Sequence, residues 1–198
     1  GIFLPADELW ASQTSASHAR GAFAAQMLGS FLGTVGYRTG REGGSTGRLH
    51  LPATLTPEAE AEFVAQCAEA WELSPRTHTL TSLQTALDLA LVGYGSGKIA
   101  SKRLEAPGTL ELLRFGVRSF NRLTNQTGHR WALLIDELEL APREIHEEIQ
   151  KFVRGGSGEL ILKVSMSPFD RYMHNLATKA GSPIPENDFR PLYLSGQS

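Results

Sequence analysis

The sequence predicts an α/β fold built on an at least partly parallel sheet, and three observations carry that prediction. Trp131-Ala132-Leu133-Leu134-Ile135 and Leu160-Ile161-Leu162-Lys163-Val164 are near-continuous apolar runs of strand length. Between them Ile145, Ile149, Phe152 and Val153 recur at helical spacing, and a strand–helix–strand unit of this kind joins parallel strands. Ahead of both lies a long stretch, 57–125, that carries only helical periodicities. Composition sets the outer bounds. A chain of 198 residues and 21.6 kDa, 41% hydrophobic and 20% charged, can bury a sizeable core; disorder, collagen and disulfide scaffolds are excluded. Nineteen Lys and Arg against 21 Asp and Glu leave a formal charge of −2, which argues against a uniformly basic coat for nucleic acid. Cys67 is the only cysteine and cannot bridge within the chain. No apolar run approaches the ~18 residues of a membrane helix, and the opening residues carry no export pattern. A cytoplasmic chain without a membrane partner is expected.

The elements follow in order. Ile2-Phe3-Leu4 reads as a buried strand stopped by Pro5. So abrupt a start suggests further sequence upstream and leaves open whether Gly1 is native. Residues 16–33 are rich in Ala, with Phe23, Met27 and Phe31 on one helical face. Five glycines between 36 and 47 suggest a mobile loop. Thr56-Pro57-Glu58 is a helix start, with a capping hydroxyl, a first-turn proline and an acid at the positive end of the dipole. Phe63, Val64, Cys67 and Trp71 line its face up to Ser74-Pro75. Leu80, Leu83, Leu87 and Leu91 mark the next helix, closed by Gly93 and Gly95. Leu110, Leu113, Val117 and Phe120 mark a third, from about Thr109 to Asn125. Pro142 opens the helix between the two apolar runs, and Gly155-Gly156 closes it. A short helix to about Leu176 and a last strand at 190–194, weakened by Pro191, complete the expectation. There is no internal repeat.

The chemistry-bearing feature is the apolar run that ends in Asp136-Glu137, the shape of a Walker B motif. In an open parallel sheet, ligands bind at the carboxyl ends of the strands. The last residue of such a strand therefore projects into the site while its apolar predecessors stay in the core. Asp136 is placed to hold a Mg²⁺ shell, since hard cations take carboxylate and water oxygens. Glu137 is placed to orient the water that attacks a γ-phosphate. Ser165 or Ser167, closing the next strand, is placed to sense that phosphate or water. The plainer reading is two acids opening a solvated loop, which the neighbouring Glu139 favours. A phosphate loop, G-x-x-x-x-G-K-S/T between strand and helix, has one near-match, Gly93-Tyr94-Gly95-Ser96-Gly97-Lys98-Ile99. It fails because Val92 stands at the first Gly position, Ile99 replaces the hydroxyl, and the preceding leucines read as helix; a helix-ending turn is expected instead. If Ile2-Phe3-Leu4 follows a phosphate-loop helix, the first strand and Walker A lie upstream of Gly1.

Trp131 to Pro142 (WALLIDELELAP) with Leu160 to Asp170 (LILKVSMSPFD) resembles the AAA+ ATPases related to origin-recognition proteins, in bacterial versions. The opening IFLPADELW and the tail from Asn187 to Leu192 are compatible with flanking strands of that family. The resemblance covers the chain loosely, and its motifs occupy about 30 residues. It implies a P-loop NTPase-like core of three layers, α-β-α, with a five-stranded sheet of order 5-1-4-3-2 and an inserted helical block. On this reading residues 1–198 are a single, incomplete domain with the helical insertion at about 56–125. It also implies Mg-ATP binding and hydrolysis coupled to remodelling of DNA or a protein partner, and it is compatible with homo-oligomers. Asp136 and Glu137 match the family's Walker B acids; Ser165 or Ser167 matches its sensor position. The missing Walker A and the absence of a recognisable carboxy-terminal lid depart from the pattern, so this chain alone is expected to be inactive. The alternative is a non-enzymatic binding or assembly module that keeps the ATPase fold.

The remaining features have plainer readings beside the functional ones. Residues 98–130 hold seven Lys and Arg against two acids, whereas 131–150 hold six acids against Arg143. Arg114, Arg118 and Arg122 form a stripe suited to a nucleic-acid backbone. A solvated face, or pairing with the acidic helix at 144–148, is the preferred reading, because no aromatic residues interleave for base stacking. His18, His50, His78, His129, His146 and His174 show no zinc-helix spacing, and no G-x-S-x-G elbow marks a hydrolase. Arg171 is open to two readings, an arginine finger into a neighbour's site and an ordinary surface arginine.

Overall fold

The computed structural model describes residues 1–4, 15–40, 53–98, 101–141, 143–155 and 158–165. Strands β1 (Ile2–Leu4), β2 (Trp131–Ile135) and β3 (Leu160–Val164) fall on the three apolar runs and form a parallel sheet in the order β1-β2-β3. Ile2 lies beside Leu133 and Leu133 beside Leu162. Because strand side chains alternate, Ile2, Leu4, Trp131, Leu133, Ile135 and Leu160 share one face, and all of them are buried. On the opposite face Phe3 is 56% and Ile161 43% exposed. Among the described residues, then, one face of the sheet is covered, giving two of the three expected layers.

Helix α1 (Ala16–Arg38) packs on that buried face. It runs past the expected end near residue 33, because Val35 continues the Met27–Phe31 row and is itself fully buried. Packing outweighs the poor helix propensity of Gly33 and Gly36, so the expected loop loses its first positions to helix; 41–47 lie outside the described residues. Helix α2 (Pro57–Trp71) starts where Thr56 Oγ1 accepts a hydrogen bond from the Ala59 amide at 3.2 Å. It stops at Trp71, before Ser74-Pro75, with Glu72 in the left-handed region (φ 51°). Helix α3 (Leu80–Gly95) is capped by Thr79, which accepts from the Ser82 amide at 3.2 Å, and holds Gly93 and Gly95 within its last turn. A four-residue helix, α4 (Lys102–Glu105), has no counterpart in the sequence expectation. Helix α5 (Thr109–Leu123) buries Leu110, Leu113, Val117 and Phe120 as expected. Helix α6 (Arg143–Gly155) links β2 to β3 and buries Ile145 and Ile149.

One continuous core joins the helices of 57–123 to the sheet. At its centre Phe31, Phe63, Phe120 and Trp131 meet edge to face, with ring centroids 5.4–6.3 Å apart. The Trp131 indole N–H donates to buried Asn121 Oδ1 at 2.9 Å, and Asn121 Nδ2 donates to the His129 carbonyl at 2.9 Å. These bonds satisfy the polar atoms of the aromatic cluster and fix where β2 enters the sheet. The expected short helix to Leu176 and the strand at 190–194 lie outside the described residues.

Candidate functional site

The sheet register sets Leu4, Ile135 and Val164 side by side at the carboxyl ends of the strands. One residue further on, the chain becomes polar. The Asp136 amide donates to the Leu4 carbonyl at 3.0 Å, and the Ser165 amide donates to the Ile135 carbonyl at 2.9 Å, so both residues are still held by strand geometry. Their side chains meet: the Ser165 hydroxyl donates to Asp136 Oδ1. The Glu137 amide then donates to both Ser165 Oγ (3.0 Å) and Asp136 Oδ1 (3.1 Å). The Leu138 amide donates to the Ser165 carbonyl at 3.1 Å.

This three-residue knot forces Glu137 into the left-handed region (φ 47°, ψ 49°), a conformation that costs a bulky residue of order 1 kcal/mol. Asp136 is half-buried and Glu137 exposed. Beyond them a short 3-10 turn (Leu138–Leu140) tucks Leu138 into the core, and a ring nitrogen of buried His146 pairs with the Ala141 carbonyl at 3.0 Å. The acids therefore leave a strand that is anchored on both sides.

Chemically, the knot offers one oriented carboxylate and, a residue later, a second that is exposed. Among the described residues no group of three His, Cys, Asp or Glu side chains could hold a metal by itself. That donor set does not suit zinc, but it does suit magnesium, which takes one or two carboxylates and completes its shell with water and phosphate. The Gly93–Lys98 segment is the helix-ending turn expected of it. It begins in the last turn of helix α3 rather than after a strand, and the Lys98 amide closes it onto the Gly93 carbonyl at 2.9 Å. Ser167 and Arg171 lie outside the described residues, as do 5–14.

The arginine stripe on α5 is engaged in ion pairs, with partners other than the acidic helix at 144–148. Arg114 Nε lies 3.2 Å and Arg118 Nε 2.7 Å from the carboxylate of Glu159, just ahead of β3. Arg114 also pairs with Glu111 at 3.3 Å. Arg122 reaches Gln66 at 2.8 Å and Glu62 at 3.7 Å on α2. The Arg118 hydrogen bond, more than any other contact, holds the Glu159 carboxyl below its ordinary range. On the acidic helix Glu148 instead accepts a hydrogen bond from the Thr109 amide at 2.9 Å, at the start of α5.

Sequence reading missed a second polar region. The Arg38 guanidinium lies 4.6 Å from the ring centre of Trp131 and 5.2 Å from that of Phe120. It borders a cavity of about 580 Å³ at the amino ends of the strands, which also includes His129 and Arg130. Asp136, Glu137 and Ser165 line neither this cavity nor a smaller one beside α5 and α6. The residues of the larger cavity are scattered from 1 to 132, and no local spacing links them.

Comparison with known families places the chain. The ORC-CDC6-like family model matches residues 51–198, about three quarters of the sequence. The chain belongs to the ORC-CDC6-like family. Membership relates it to the AAA+ ATPases, as the strand-end motifs imply, and the match covers α2 through β3, including Asp136, Glu137 and Ser165. Strand β1 and helix α1 precede the matched region. No curated protein and no solved structure gives a significant match.

Proposed function

We propose that this ORC-CDC6-like chain supplies the acidic half of a Mg-ATP site whose nucleotide state drives remodelling of DNA or a protein partner. The observation that carries this reading is the Asp136–Glu137–Ser165 knot at the carboxyl ends of adjacent parallel strands. The strand order supports it. β1, β2 and β3 are neighbours in the succession that strands two, three and four take in the order 5-1-4-3-2. The residues between β1 and β2 would then contain the family-specific helical block, 56–125, inserted in a single AAA+-like domain.

In this site Asp136 holds the magnesium shell, and Ser165 keeps its carboxylate from rotating away. Glu137, projected outward by its left-handed backbone, orients the attacking water and takes up its proton. Bound magnesium contributes charge neutralisation at the phosphates. Ser167 remains a second candidate for the sensing hydroxyl, and Arg171 for a finger reaching a neighbouring copy in a homo-oligomer. An Arg114/Arg118/Arg122 contact with a nucleic-acid backbone requires the Glu159 pairs of Arg114 and Arg118 and the Glu62 and Gln66 contacts of Arg122 to open first, so the stripe is the weaker route to DNA.

One observation favours a second reading, a non-enzymatic assembly module: no G-x-x-x-x-G-K-S/T string occurs in the 198 residues. Nucleotide binding by the full-length protein and its Asp136→Asn form separates the two. The ATPase reading expects the variant to lose at least tenfold of the affinity that magnesium adds, with EDTA erasing the difference. Identical affinities for Mg-ATP, or no binding by either protein, would favour the assembly module.

A further inference from the structure

The uncovered face of the sheet carries a single cation among the described residues. Register and alternation put Phe3, Leu134 and Lys163 in one row across the three strands, with Ala132 and Ile161 in the row before. Lys163 is the only charged residue in these two rows; it interrupts an otherwise apolar strand, and it is exposed. The next row along the strands is Asp136 and Ser165, joined by their hydroxyl-to-carboxylate bond. Lys163 therefore precedes Ser165 by two residues, about 7 Å along the strand, and is the diagonal neighbour of Asp136 at about 8 Å between Cα atoms. Long side chains span diagonals of this length in a sheet.

No ion pair or hydrogen bond among the described residues engages the Lys163 side chain. Asp136 makes no ion pair with it, and Asp136 Oδ1 already accepts from Ser165 Oγ and the Glu137 amide. Electrostatics give this ammonium a task. The strand edge supplies two negative charges, Asp136 and Glu137, and a magnesium ion neutralises only part of a triphosphate. Like charges a few ångströms apart repel strongly once water is displaced, so a polyphosphate here needs a cation beside the metal. A lysine ammonium, a compact charge on a flexible four-carbon stem, suits phosphate oxygens.

We propose that Lys163 is a substrate-contacting residue, its ammonium binding an oxygen of the nucleotide polyphosphate over the uncovered sheet face. This inference rests on the Mg-ATP reading of the Asp136 edge and adds to it a cation that acts without the metal. Glu137 and Asp136 work through water and magnesium, whereas Lys163 works on the phosphate directly.

The test is equilibrium binding of ATP to the full-length protein, in magnesium and in EDTA, by wild type, Lys163→Met, Lys163→Arg and Asp136→Asn. Lys163→Met should weaken ATP binding by about tenfold or more in both conditions, the loss of one charge-assisted hydrogen bond. Lys163→Arg, which keeps the charge, should restore most of that affinity. Asp136→Asn should lose only the part that magnesium adds. Thermal melts should be unchanged in the Lys163 variants, because the residue is exposed. An exposed lysine also discourages an edge strand from pairing with other chains, a role that predicts wild-type ATP affinity in Lys163→Met. That result, with the Asp136→Asn loss still present, would overturn the inference and leave the Mg-ATP reading standing. Equal losses in Lys163→Met and Lys163→Arg with lowered melts would also overturn it, and absence of ATP binding by wild type would overturn both.

Discussion

Glu137 shows how a single residue can be set by its neighbours. Its φ of 47° comes from the amide bonds to Asp136 and Ser165, not from any preference of glutamate. Glycine tolerates that conformation without cost. Glu137→Gly should therefore raise unfolding stability in urea by about 1 kcal/mol, whereas Glu137→Gln should leave it unchanged. The pairing of Asp136 with Glu137 was legible because both sit in one short motif. The pairing of Arg114 and Arg118 with Glu159 was not, because only the β2–β3 register brings residue 159 under α5. Depression of the Glu159 carboxyl also has a pH signature. Its stabilising contribution is complete above the ordinary glutamate range near pH ~4.3 and is lost as pH falls through the lower folded value. Acid titration of Glu159→Gln should show a shallower loss of stability below about pH 4 than the parent chain; superimposable curves would mean that the pairs contribute nothing. Cys67 is fully buried, and burial pushes its thiol up. Alkylation should proceed only as fast as the protein unfolds, and immediate labelling of native protein would contradict that packing.

At the scale of elements, the strands and most helix starts were legible, because apolar runs and capping residues are local signals. Helix ends were less so. The glycines beginning at Gly36 suggested a loop, but buried Val35 kept α1 going, a tertiary contact that propensity does not contain. Tertiary contact also explains a glycine in the first half of α1. A Cβ on Gly21 would lie 2.4 Å from Tyr94 Cζ. The Tyr94 hydroxyl is tied to Ser101, donating to its carbonyl at 3.1 Å and accepting from its amide at 3.3 Å, so the ring cannot easily move aside. Gly21→Ala should destabilise by about 1–3 kcal/mol despite the better helix propensity of alanine, as read from thermal unfolding. A stability gain would show that α1 and α3 can separate freely.

At the scale of the whole molecule, the parallel sheet and its site edge were readable from three apolar runs, whereas the way the helical stretch joins the sheet core was not. Helical periodicity shows which face of α2, α3 or α5 is apolar but not what that face meets. The aromatic cluster linking Phe63 and Phe120 to Trp131 exists only once the chain has folded. The cavity at the opposite end of the strands was hidden for the same reason, since residues near 1, 30 and 130 assemble it. What unites these features is a sheet that ends in two acids held by a serine, in a chain of the ORC-CDC6-like family. The sharpest check is steady-state Mg-ATP hydrolysis by the full-length protein and its Glu137→Gln form, with ATP binding measured alongside. Loss of a positioned general base should slow turnover by about a hundredfold or more while ATP stays bound. Equal turnover in the two proteins would remove Glu137 from the chemistry and contradict the ATPase reading of this strand edge.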